Sequence, residues 1–331
     1  MNENSSIAVI GSGSWATALV KVLLNNVKTL NWYILEPEIR SHVHKYHHNP
    51  RYLSSVVFEK NKPKLFDNIV ETIEQSDILV FAVPSAFLKI WLEPYKGKFE
   101  NKFIVSAIKG IIPKENLTIA EFFNQDYNVP FDNIGVVSGP SHAEEVALER
   151  LTYLTVACKN EDHAKLIADK IACRYIKTII SHDIYGIEYA AVLKNIIAIA
   201  AGICHGLGYG DNFLSVLISN GYKEIKRFLD KTYASKRTTD NSVYLGDLLV
   251  TCYSQFSRNR TFGAMIGKGY SVKSAQLEMN MIAEGYYAVA CIKEINKNHN
   301  VKMPITDAVY NILYDKISPT IEMKLLTETL K

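Results

Sequence analysis

A glycine-rich turn near the start of the chain constrains the fold more than any other feature. The apolar run Ile7–Ile10 leads into Gly11-Ser12-Gly13-Ser14-Trp15-Ala16, and a helical pattern follows at once. In this Gly-x-Gly-x-x-Ala pattern, Gly11 permits a tight turn, Gly13 lets the backbone approach a pyrophosphate, and Ala16 lets the helix pack closely on the strand. The helix N-terminus offers N–H donors to the anion. The motif predicts dinucleotide binding; a plain strand–turn–helix corner is the alternative.

An acidic residue stands where such a turn needs one. Glu36 lies about 20 residues after the turn, just past the second apolar run, which is where a carboxylate accepts a hydrogen bond from a ribose hydroxyl. Glu36 therefore strengthens the prediction of a dinucleotide site.

Length and composition match a globular protein of about two domains, since domains hold about 100–200 residues. The chain has 331 residues, of which 48% are hydrophobic and 21% charged. Its net charge of +3 is too small to attract a nucleic acid or a membrane. The N-terminus lacks the basic segment of a signal peptide, and the longest strongly apolar run, Ile196–Ile203, is too short to span a membrane. We expect a cytoplasmic protein whose five cysteines, none in a Cys-x-x-Cys pair, are buried reduced thiols.

Short apolar runs alternate with helical patterns over the first half of the chain, which predicts a parallel sheet covered by helices on both faces. The predicted strands are Ile7–Ile10, Trp32–Leu35, Ile78–Val83, Phe103–Ala107, Ile134–Val137, Thr152–Val156 and Tyr175–Ile180. The predicted helices between them include Asp67–Gln75, Ser85–Leu92, Lys114–Phe123 and Asp162–Ala172. We therefore predict an α/β fold in which residues 1–180 form a Rossmann-like, doubly wound, mostly parallel sheet that binds a dinucleotide.

Strand patterns nearly disappear after residue 181. The alanine-rich segment Ile184–Gly206 predicts one long helix packed against neighbours on most sides. Further predicted helices are Phe213–Leu229, Val243–Cys252, Ser271–Leu277, Ala283–Lys297 and Met303–Tyr314. Residues 181–331 are therefore predicted to form an all-helical domain for substrate binding and catalysis.

Three turns at the carboxyl ends of predicted strands carry small or polar residues. They are Pro84-Ser85, Lys109-Gly110 and Gly139-Pro140-Ser141. In an open α/β sheet ligands bind beyond these strand ends, so Pro84 is expected to face the cofactor. The Lys109 ammonium and the free N–H groups suit a phosphate or a hydroxyl. Ordinary loops are the alternative.

The helical half places Lys194 among alanine and aliphatic residues in mid-helix. Burial in general lowers the pKa of a lysine toward the range used in proton transfer. A lysine that reaches solvent or pairs with Glu188 is the alternative. Asp247 and Thr251 share one face of another predicted helix, although Asp247 also suits a helix N-terminus as a capping residue.

The predicted loop Ser257-Arg258-Asn259-Arg260-Thr261 combines two guanidinium groups with an amide and two hydroxyls. Guanidinium binds phosphate with two parallel hydrogen bonds, so the loop predicts a phosphate site; a solvated basic loop is the alternative. Four histidines cluster at His42, His44, His47 and His48. His44 and His48 can chelate a metal, but no carboxylate or cysteine completes the set. A solvated helix face is favoured, and no metal is predicted.

Together these motifs resemble the bacterial-type NAD(P)-dependent glycerol-3-phosphate dehydrogenases along nearly the whole chain. The matching segments are Gly11–Trp15, Asn49–Leu53, Ala82–Ser85, Lys109-Gly110, Ser138–Ser141, Leu193–Gly202, Gly246–Leu248, Thr251-Cys252 and Ser257–Arg260. The Leu-Lys-Asn helix and the Ser-Arg-Asn-Arg segment are the specific parts. The resemblance implies reversible hydride transfer between NAD(P)H and dihydroxyacetone phosphate, giving sn-glycerol 3-phosphate for phospholipid synthesis.

The resemblance also implies residue roles. Lys194 is implied as proton donor and acceptor, with Asn195, Asp247 and Thr251 completing the catalytic group. The implied substrate contacts are Lys109, Gly139, Ser141, Ser257, Arg258 and Asn259. The cofactor contacts already predicted are Gly11, Gly13, Glu36 and Pro84. The resemblance adds Ser14, Trp15, Ala143, Ile282 and Glu284. It also implies that Lys109 and Arg258 approach both the substrate and the cofactor.

The sequence departs from the family at two positions. Ala16 stands where the family usually has glycine, which is a mild change. Glu36 stands where many relatives have an arginine that suits the 2′-phosphate of NADP. Because a glutamate accepts a hydrogen bond from a 2′-hydroxyl and repels a 2′-phosphate, we predict that NAD(H) is preferred. NADP(H) stays possible if Arg40 or Lys45 bends back.

Two rival hypotheses remain open at this stage. One is a sister two-domain dehydrogenase acting on another hydroxy acid, which the phosphate-suited Ser257–Arg260 segment disfavours. The other is a non-catalytic NAD(H) sensor, which typically loses the acid–base residue that Lys194 retains. The expected partner is a small phosphorylated substrate, with no nucleic acid and no membrane, and a homodimer through the alanine-rich helical domain is possible.

Overall fold

The chain forms two compact units in a computed structural model that describes residues 1–95, 97–279 and 282–331. One unit comprises Met1–Ile108 and Ile119–Ile184, and the other comprises Lys109–Thr118 and Tyr185–Lys331. The short segment Lys109–Thr118 thus packs with the second unit although the chain returns to the first unit after it. The domain limits 1–180 and 181–331 stay a prediction from the sequence.

The first unit is built on one eight-stranded sheet. Its strands are β1 (Ile7–Ile10), β2 (Leu30–Tyr33), β3 (Pro63–Phe66), β4 (Ile78–Phe81), β5 (Phe103–Ser106), β6 (Ile134–Ser138), β7 (Thr152–Cys158) and β8 (Ile176–Ser181). They lie in the order β3-β2-β1-β4-β5-β6-β7-β8, and every neighbouring pair is parallel except β6 and β7. The chain winds outward in both directions from β1 and β4, which confirms the predicted doubly wound α/β fold.

Seven helices accompany this sheet in the described part of the first unit. They are α1 (Ser14–Leu23), α2 (Pro37–Tyr46), α3 (Ile69–Glu74), α4 (Ser85–Leu92), α5 (Ile119–Tyr127), α6 (Ala143–Ala147) and α7 (Glu161–Ile171). All four residues are buried in each of β1, β2, β4 and β5. Burial on both strand faces is the reason that β1 and β4 are continuous apolar runs, whereas β2 and β5 each bury one polar residue, Asn31 and Ser106.

The sequence missed β3 and misplaced the start of α5, while it indicated α2 only through the solvated helix face expected around His42 and His44. Edge strand β3 has the sequence Pro-Lys-Leu-Phe, which lacks the continuous apolar run of a central strand. The predicted helix Lys114–Phe123 begins only at Ile119, because Lys114 and Asn116 have positive φ angles of 72° and 57°. A right-handed helix excludes that conformation.

The second unit is built from helices joined by loops, apart from its first segment Lys109–Thr118, where Ile112 and Leu117 form an isolated antiparallel bridge. Its helices are α8 (Ile184–Gly206), α9 (Asp211–Thr232), α10 (Asp247–Tyr253), α11 (Arg258–Gly267), α12 (Val272–Glu278), α13 (Glu284–Asn296), α14 (Pro304–Leu313) and α15 (Pro319–Thr329). A five-residue π-helical turn, Ser242–Gly246, leads directly into α10. The all-helical second half is confirmed. The sequence did not predict α15, and it treated the start of α11 as a loop.

Helix α8 is the central helix of the second unit. It has 23 residues and enough apolar character to span a membrane by length and composition, yet its most apolar 18-residue window is entirely buried inside the protein. A buried core helix passes the same test, so this helix is weak support for a membrane span. Helix α8 is covered by its own chain, as expected for the core helix of the second unit.

Glycines bring α8 and α11 into direct backbone contact. A Cβ on Gly202 would lie 2.0 Å from the carbonyl oxygen of Arg260, and one on Gly263 would lie 2.1 Å from the carbonyl oxygen of Ile199. Side chains of any size are excluded at both positions. This close crossing fixes the N-terminus of α11 against the helix that carries Lys194.

Candidate active site

A buried lysine on α8 is held by two groups on α10. The Lys194 ammonium donates to Asp247 Oδ1 at 2.6 Å and to Thr251 Oγ1 at 2.9 Å. Lys194 is only 4% exposed, so the alternative of a lysine that reaches solvent is wrong. Thr251 Oγ1 donates in turn to the carbonyl oxygen of Asp247 at 2.6 Å, which leaves its lone pairs facing the ammonium. The structure thus unites three residues of the predicted catalytic group.

One donor of the Lys194 ammonium is not used by these partners. An ammonium has three N–H donors, and Asp247 and Thr251 account for the two hydrogen bonds that Lys194 makes with the described residues. A fixed ammonium with a spare donor is suited to protonating or deprotonating a ligand oxygen.

A second lysine approaches the same carboxylate from the segment Lys109–Thr118. Lys109 Nζ lies 3.5 Å from Asp247 Oδ2, so one carboxylate stands between two ammonium groups. Burial is the main reason that the pKa of Lys109 is lowered to about 8; Asp247 raises this pKa, and the nearby Lys194 charge lowers it. Lys109 therefore changes charge close to neutral pH. The cluster carries excess positive charge at neutral pH, which suits an anionic ligand.

Two asparagines connect the segments around this cluster. The buried Asn195 side chain donates to the carbonyl oxygen of Lys109 at 2.8 Å and so fixes the backbone that carries Lys109. Asn259 Oδ1 accepts from the Gly285 N–H at 2.9 Å, where α13 begins. Because its oxygen is occupied there, Asn259 is left with its Nδ2 group as the donor for a ligand.

The Ser-Arg-Asn-Arg segment is a helix N-terminus rather than the predicted loop. Ser257 caps α11, and its hydroxyl accepts from the Arg260 N–H at 3.3 Å. Arg258 and Asn259 are the first two residues of the helix, with Arg258 half-buried and Asn259 buried. Serine side chains bond to nearby backbone groups both in loops and at helix N-caps. The residue type alone therefore does not distinguish a loop from a helix start. A guanidinium at a helix N-terminus is a suitable phosphate site.

The glycine-rich turn of the first unit has the geometry that a dinucleotide requires. Gly11 has φ of 126°, and a Cβ there would lie 2.5 Å from the carbonyl oxygen of Ala82. Gly13 caps α1 with ordinary dihedrals, and its Cβ position has no atom within 4 Å. Only the first glycine is required by the fold, so the open space at Gly13 fits a ligand that approaches the backbone. Ser14, buried, and Trp15, half-buried, begin α1 directly after it.

Two polar side chains that the sequence did not assign hold this turn. The fully buried Asn49 donates to the Ser12 carbonyl oxygen at 2.8 Å and to Thr17 Oγ1 at 3.0 Å. Trp32 Nε1 donates to the Gly11 carbonyl oxygen at 2.7 Å. The Asn-Pro-Arg-Tyr-Leu motif is one of the segments that carry the family resemblance. Its spacing does not predict which distant backbone group Asn49 binds.

Glu36 caps the N-terminus of α2 and is joined to the glycine-rich turn. Ser12 Oγ donates to Glu36 Oε2 at 2.6 Å. The carboxylate therefore lies beside the turn, at the end of β2, as a ribose-binding acid does in this fold class.

The remaining predicted contacts of the first unit lie at strand ends. Pro84 precedes α4, and Ala143 is the first residue of α6. Gly139 follows β6 with φ of 130°, and a Cβ there would lie 2.7 Å from the Tyr153 carbonyl oxygen. Ser141 Oγ donates to the Gly139 carbonyl oxygen at 2.9 Å, which shapes the turn. In the second unit, the half-buried Ile282 and Glu284 lie just before and at the start of α13.

The histidine cluster contacts itself through a different pair from the one that the spacing suggested. His42 Nε2 lies 3.2 Å from His48 Nε2. Within residues 1–95, 97–279 and 282–331, no three His, Cys, Asp or Glu side chains are placed to share a metal ion. The five cysteines are free thiols in that part of the chain, four of them buried and Cys173 half-buried.

Comparison with known proteins agrees over both units. Residues 6–164 match the family model for the N-terminus of NAD-dependent glycerol-3-phosphate dehydrogenase, and residues 183–324 match that for its C-terminus. A Clostridium botulinum protein named glycerol-3-phosphate dehydrogenase (NAD(P)+) is 34% identical over 323 residues, covering 97% of each chain.

The chain belongs to the NAD-dependent glycerol-3-phosphate dehydrogenase family. A Staphylococcus haemolyticus relative of the same name is 36% identical and covers 94% of each chain. The crystal structure of a Coxiella burnetii glycerol-3-phosphate dehydrogenase superposes with a TM-score of 0.90 at 28% identity, covering 99% of this chain and all of that one. As a member of this family the chain is an oxidoreductase with a nicotinamide dinucleotide cofactor.

More distant dehydrogenases share only the fold. A structure of D-mandelate dehydrogenase with NADH superposes with a TM-score of 0.59 at 16% identity. The sister-dehydrogenase and sensor hypotheses are not supported, since relatives at about a third identity over nearly the whole chain are named glycerol-3-phosphate dehydrogenases.

Proposed function

We propose that the protein catalyses the reversible reduction of dihydroxyacetone phosphate by NADH to sn-glycerol 3-phosphate. The observation that carries the proposal is the buried Lys194 ammonium, held by Asp247 and Thr251 with one donor to spare. In the cytoplasm the product supplies glycerophospholipid synthesis, as the family resemblance implies, and the alanine-rich helical domain is the candidate surface for a homodimer.

In the direction of reduction, Lys194 donates a hydrogen bond to the ketone oxygen and then transfers a proton to it as the C–O bond becomes a single bond. A bound nicotinamide dinucleotide supplies the hydride in this direction and accepts it in the other. Lys194 recovers its proton from solvent, so that one hydride and one proton are consumed per ketone reduced. In reverse the neutral amine removes the hydroxyl proton.

Asp247 and Thr251 position the Lys194 amine in both directions. Asp247 stabilises the charged form of the ammonium electrostatically, and Thr251 Oγ1 orients it through a hydrogen bond. Asn195 acts on the backbone of Lys109 and positions the second ammonium. Lys109 then neutralises charge on the substrate and approaches the cofactor.

The substrate phosphate binds at the start of α11. Arg258 supplies the guanidinium, Asn259 supplies Nδ2, and Ser257 closes the first turn of the helix. Gly139 and Ser141 form a further substrate contact through their turn. Phosphate recognition by these groups distinguishes this substrate from an unphosphorylated ketone.

The cofactor contacts follow the turn geometry in the first unit. The open space at Gly13 admits the pyrophosphate, the Ser14 and Trp15 N–H groups begin α1, and Glu36 accepts from the ribose 2′-hydroxyl. Pro84, Ala143, Ile282, Glu284 and Arg258 complete the proposed contacts. Because Glu36 repels a 2′-phosphate, NADH is preferred and NADPH is a poorer substrate.

The experiment is to follow the loss of NADH absorbance with dihydroxyacetone phosphate and, in parallel, with dihydroxyacetone. Turnover of the phosphorylated ketone alone supports both the reaction and the phosphate site. Equal turnover of both ketones would contradict the phosphate site. NADH binding without turnover of either ketone would contradict the reaction and favour a sensor.

A further inference from the structure

The end of β2 carries two side chains of opposite preference toward a dinucleotide. Glu36 suits the free 2′-hydroxyl of NADH, whereas Arg40, one helical turn further along α2, is the kind of residue that binds the 2′-phosphate of NADPH. The Arg40 N–H donates to the Glu36 carbonyl oxygen at 3.0 Å, so Arg40 lies one helical turn after the N-cap residue Glu36. Both residues therefore lie close to the position that a ribose-binding acid occupies after β2.

The structure holds Arg40 in a fixed orientation. Arg40 Nη1 donates to the carbonyl oxygen of Ile34 at 3.0 Å, and Arg40 Nη2 lies 3.3 Å from Asp67 Oδ2, just past the end of β3. Arg40 is 22% exposed at its side chain and Asp67 is 66% exposed. A 2′-phosphate has to displace the Asp67 carboxylate to bind this guanidinium, and because an exposed ion pair is weak, this competition lowers NADPH affinity only modestly.

Glu36 is held as firmly from the other side. Ser12 Oγ, only 7% exposed, donates to Glu36 Oε2 at 2.6 Å and leaves Oε1 as the oxygen available to a hydroxyl. A serine at the middle position of Gly11-Ser12-Gly13 thus orients the acid that discriminates between the cofactors.

The geometry points to Ser12 and Asp67 as further specificity-determining residues that act through Glu36 and Arg40. Ser12 orients the Glu36 carboxylate that accepts from the 2′-hydroxyl. Asp67 pairs with the Arg40 guanidinium, which would otherwise bind a 2′-phosphate. Both are positioning residues, since each acts through another side chain. This inference rests on the proposed preference for NADH.

The test for Asp67 compares dissociation constants of NADH and NADPH, measured by calorimetry without substrate, for wild type, Asp67→Asn, Arg40→Gln and the double variant. Asp67→Asn lowers the Kd of NADPH about three- to tenfold and changes that of NADH less than about twofold, because one charge-assisted hydrogen bond becomes available. In the Arg40→Gln background the same change has no effect, since additivity fails when residues act through one another.

The matched control is Glu38→Gln. This substitution removes one negative charge from α2, the helix that carries Arg40, but the carboxylate that it removes pairs with Arg51 instead of Arg40. An equal gain in NADPH affinity from Glu38→Gln, or a gain from Asp67→Asn that persists without Arg40, would show a general charge effect and overturn the role of Asp67. So would unchanged NADPH affinity in Asp67→Asn.

The test for Ser12 uses the ratio of the two dissociation constants. Ser12→Ala weakens NADH binding about threefold to tenfold through the lost hydrogen bond, and it does so only while Glu36 is present. The inference would be refuted if Ser12→Ala weakened the binding of NADH and NADPH equally, or if it had the same effect in a Glu36→Gln background as in wild type. Either result would indicate that Ser12 contacts the pyrophosphate. Thermal melting identifies any variant that fails to fold. Ser12→Thr, which keeps the hydroxyl, provides the second measurement if Ser12→Ala does not fold.

These measurements separate the inference from the proposed function. Wild type that binds NADH but does not reduce dihydroxyacetone phosphate would refute the function, while the binding ratios would still decide the roles of Ser12 and Asp67. Wild type that prefers NADPH would overturn the inference whatever the reaction.

Discussion

Lys194 and Asp247 are separated by 53 residues in the chain, and Lys194 Nζ lies 2.6 Å from Asp247 Oδ1 on a neighbouring helix. Both side chains are almost completely buried. A buried ion pair stabilises a fold only when its geometry and remaining hydrogen bonds are satisfied. Here one ammonium donor remains unused by the described residues, which favours a role in chemistry over one in stability.

Replacing Lys194 tests that role. Lys194→Met keeps the length of the side chain and removes the proton donor, so kcat/KM falls about 10²–10⁴-fold or more, while NADH binding in calorimetry changes little. The matched control, Lys293→Met, removes a lysine whose ammonium pairs with Asp307 near the surface, 2.6 Å away. Similar losses in both variants would contradict the assignment.

The pKa of Lys109 predicts a pH dependence. Since burial lowers the pKa of Lys109 to about 8, the ammonium loses its proton as the pH rises through that value. If the charged form binds the substrate, kcat/KM for dihydroxyacetone phosphate falls above about pH 8. In Asp247→Asn the charge that raises the pKa of Lys109 is gone, so the fall begins at lower pH. A profile that keeps its alkaline limb in Lys109→Met would contradict this explanation.

Replacing Gly13 is expected to weaken cofactor binding, whereas replacing Gly11 is expected to destabilise the fold. Gly13→Ala adds a methyl group into open space and keeps ordinary dihedrals, so the protein melts near the wild-type temperature but binds NADH about tenfold more weakly or worse. Gly11→Ala has a left-handed φ and a clash of 2.5 Å with the Ala82 carbonyl oxygen, so it lowers the free energy of unfolding by about 2 kcal/mol or more. Calorimetry and thermal melting separate the two, and normal NADH binding by folded Gly13→Ala would contradict the pyrophosphate contact.

Glu224 predicts a pH dependence of stability away from the catalytic cluster. This buried carboxyl on α9 accepts from the Ile305 and Thr306 N–H groups and from Thr306 Oγ1 at the start of α14. Burial nevertheless raises the pKa of Glu224 from 4.5 to about 7. The folded state therefore binds the proton more tightly than the unfolded state, and the stability from this group, present below the unfolded pKa, is lost as the pH rises toward about 7.

Glu224→Gln measures that contribution. The free energy of unfolding, determined by urea titration between pH 5 and about 7, falls with rising pH in wild type by about 2 kcal/mol more than in the variant. Equal slopes for wild type and Glu224→Gln would show that the three hydrogen bonds keep the carboxyl charged at both pH values.

Much of the site was predictable because it depends on local chemistry. The Gly11–Gly13 turn, the acid at Glu36 and the apolar setting of Lys194 follow from spacing and residue type. Ser257 was predicted to lie in a loop, yet it caps α11, because a serine followed by polar residues looks alike in both settings. The ties from Asn49 to the glycine-rich turn and from Asn259 to Gly285 had no sequence signal, since each joins residues distant in the chain.

The sequence by itself determined the parallel sheet, the helical second half and the residues available for chemistry, because apolar periodicity and glycine positions act over a few residues. Tertiary structure decided which of those residues meet. It joined Lys109 to Asp247, selected Asp247 rather than Glu188 as the partner of Lys194, and paired Arg40 with Asp67. Such choices depend on helix crossings and strand order, where small distances between backbones, as at Gly202 and Arg260, set which side chains share a buried space.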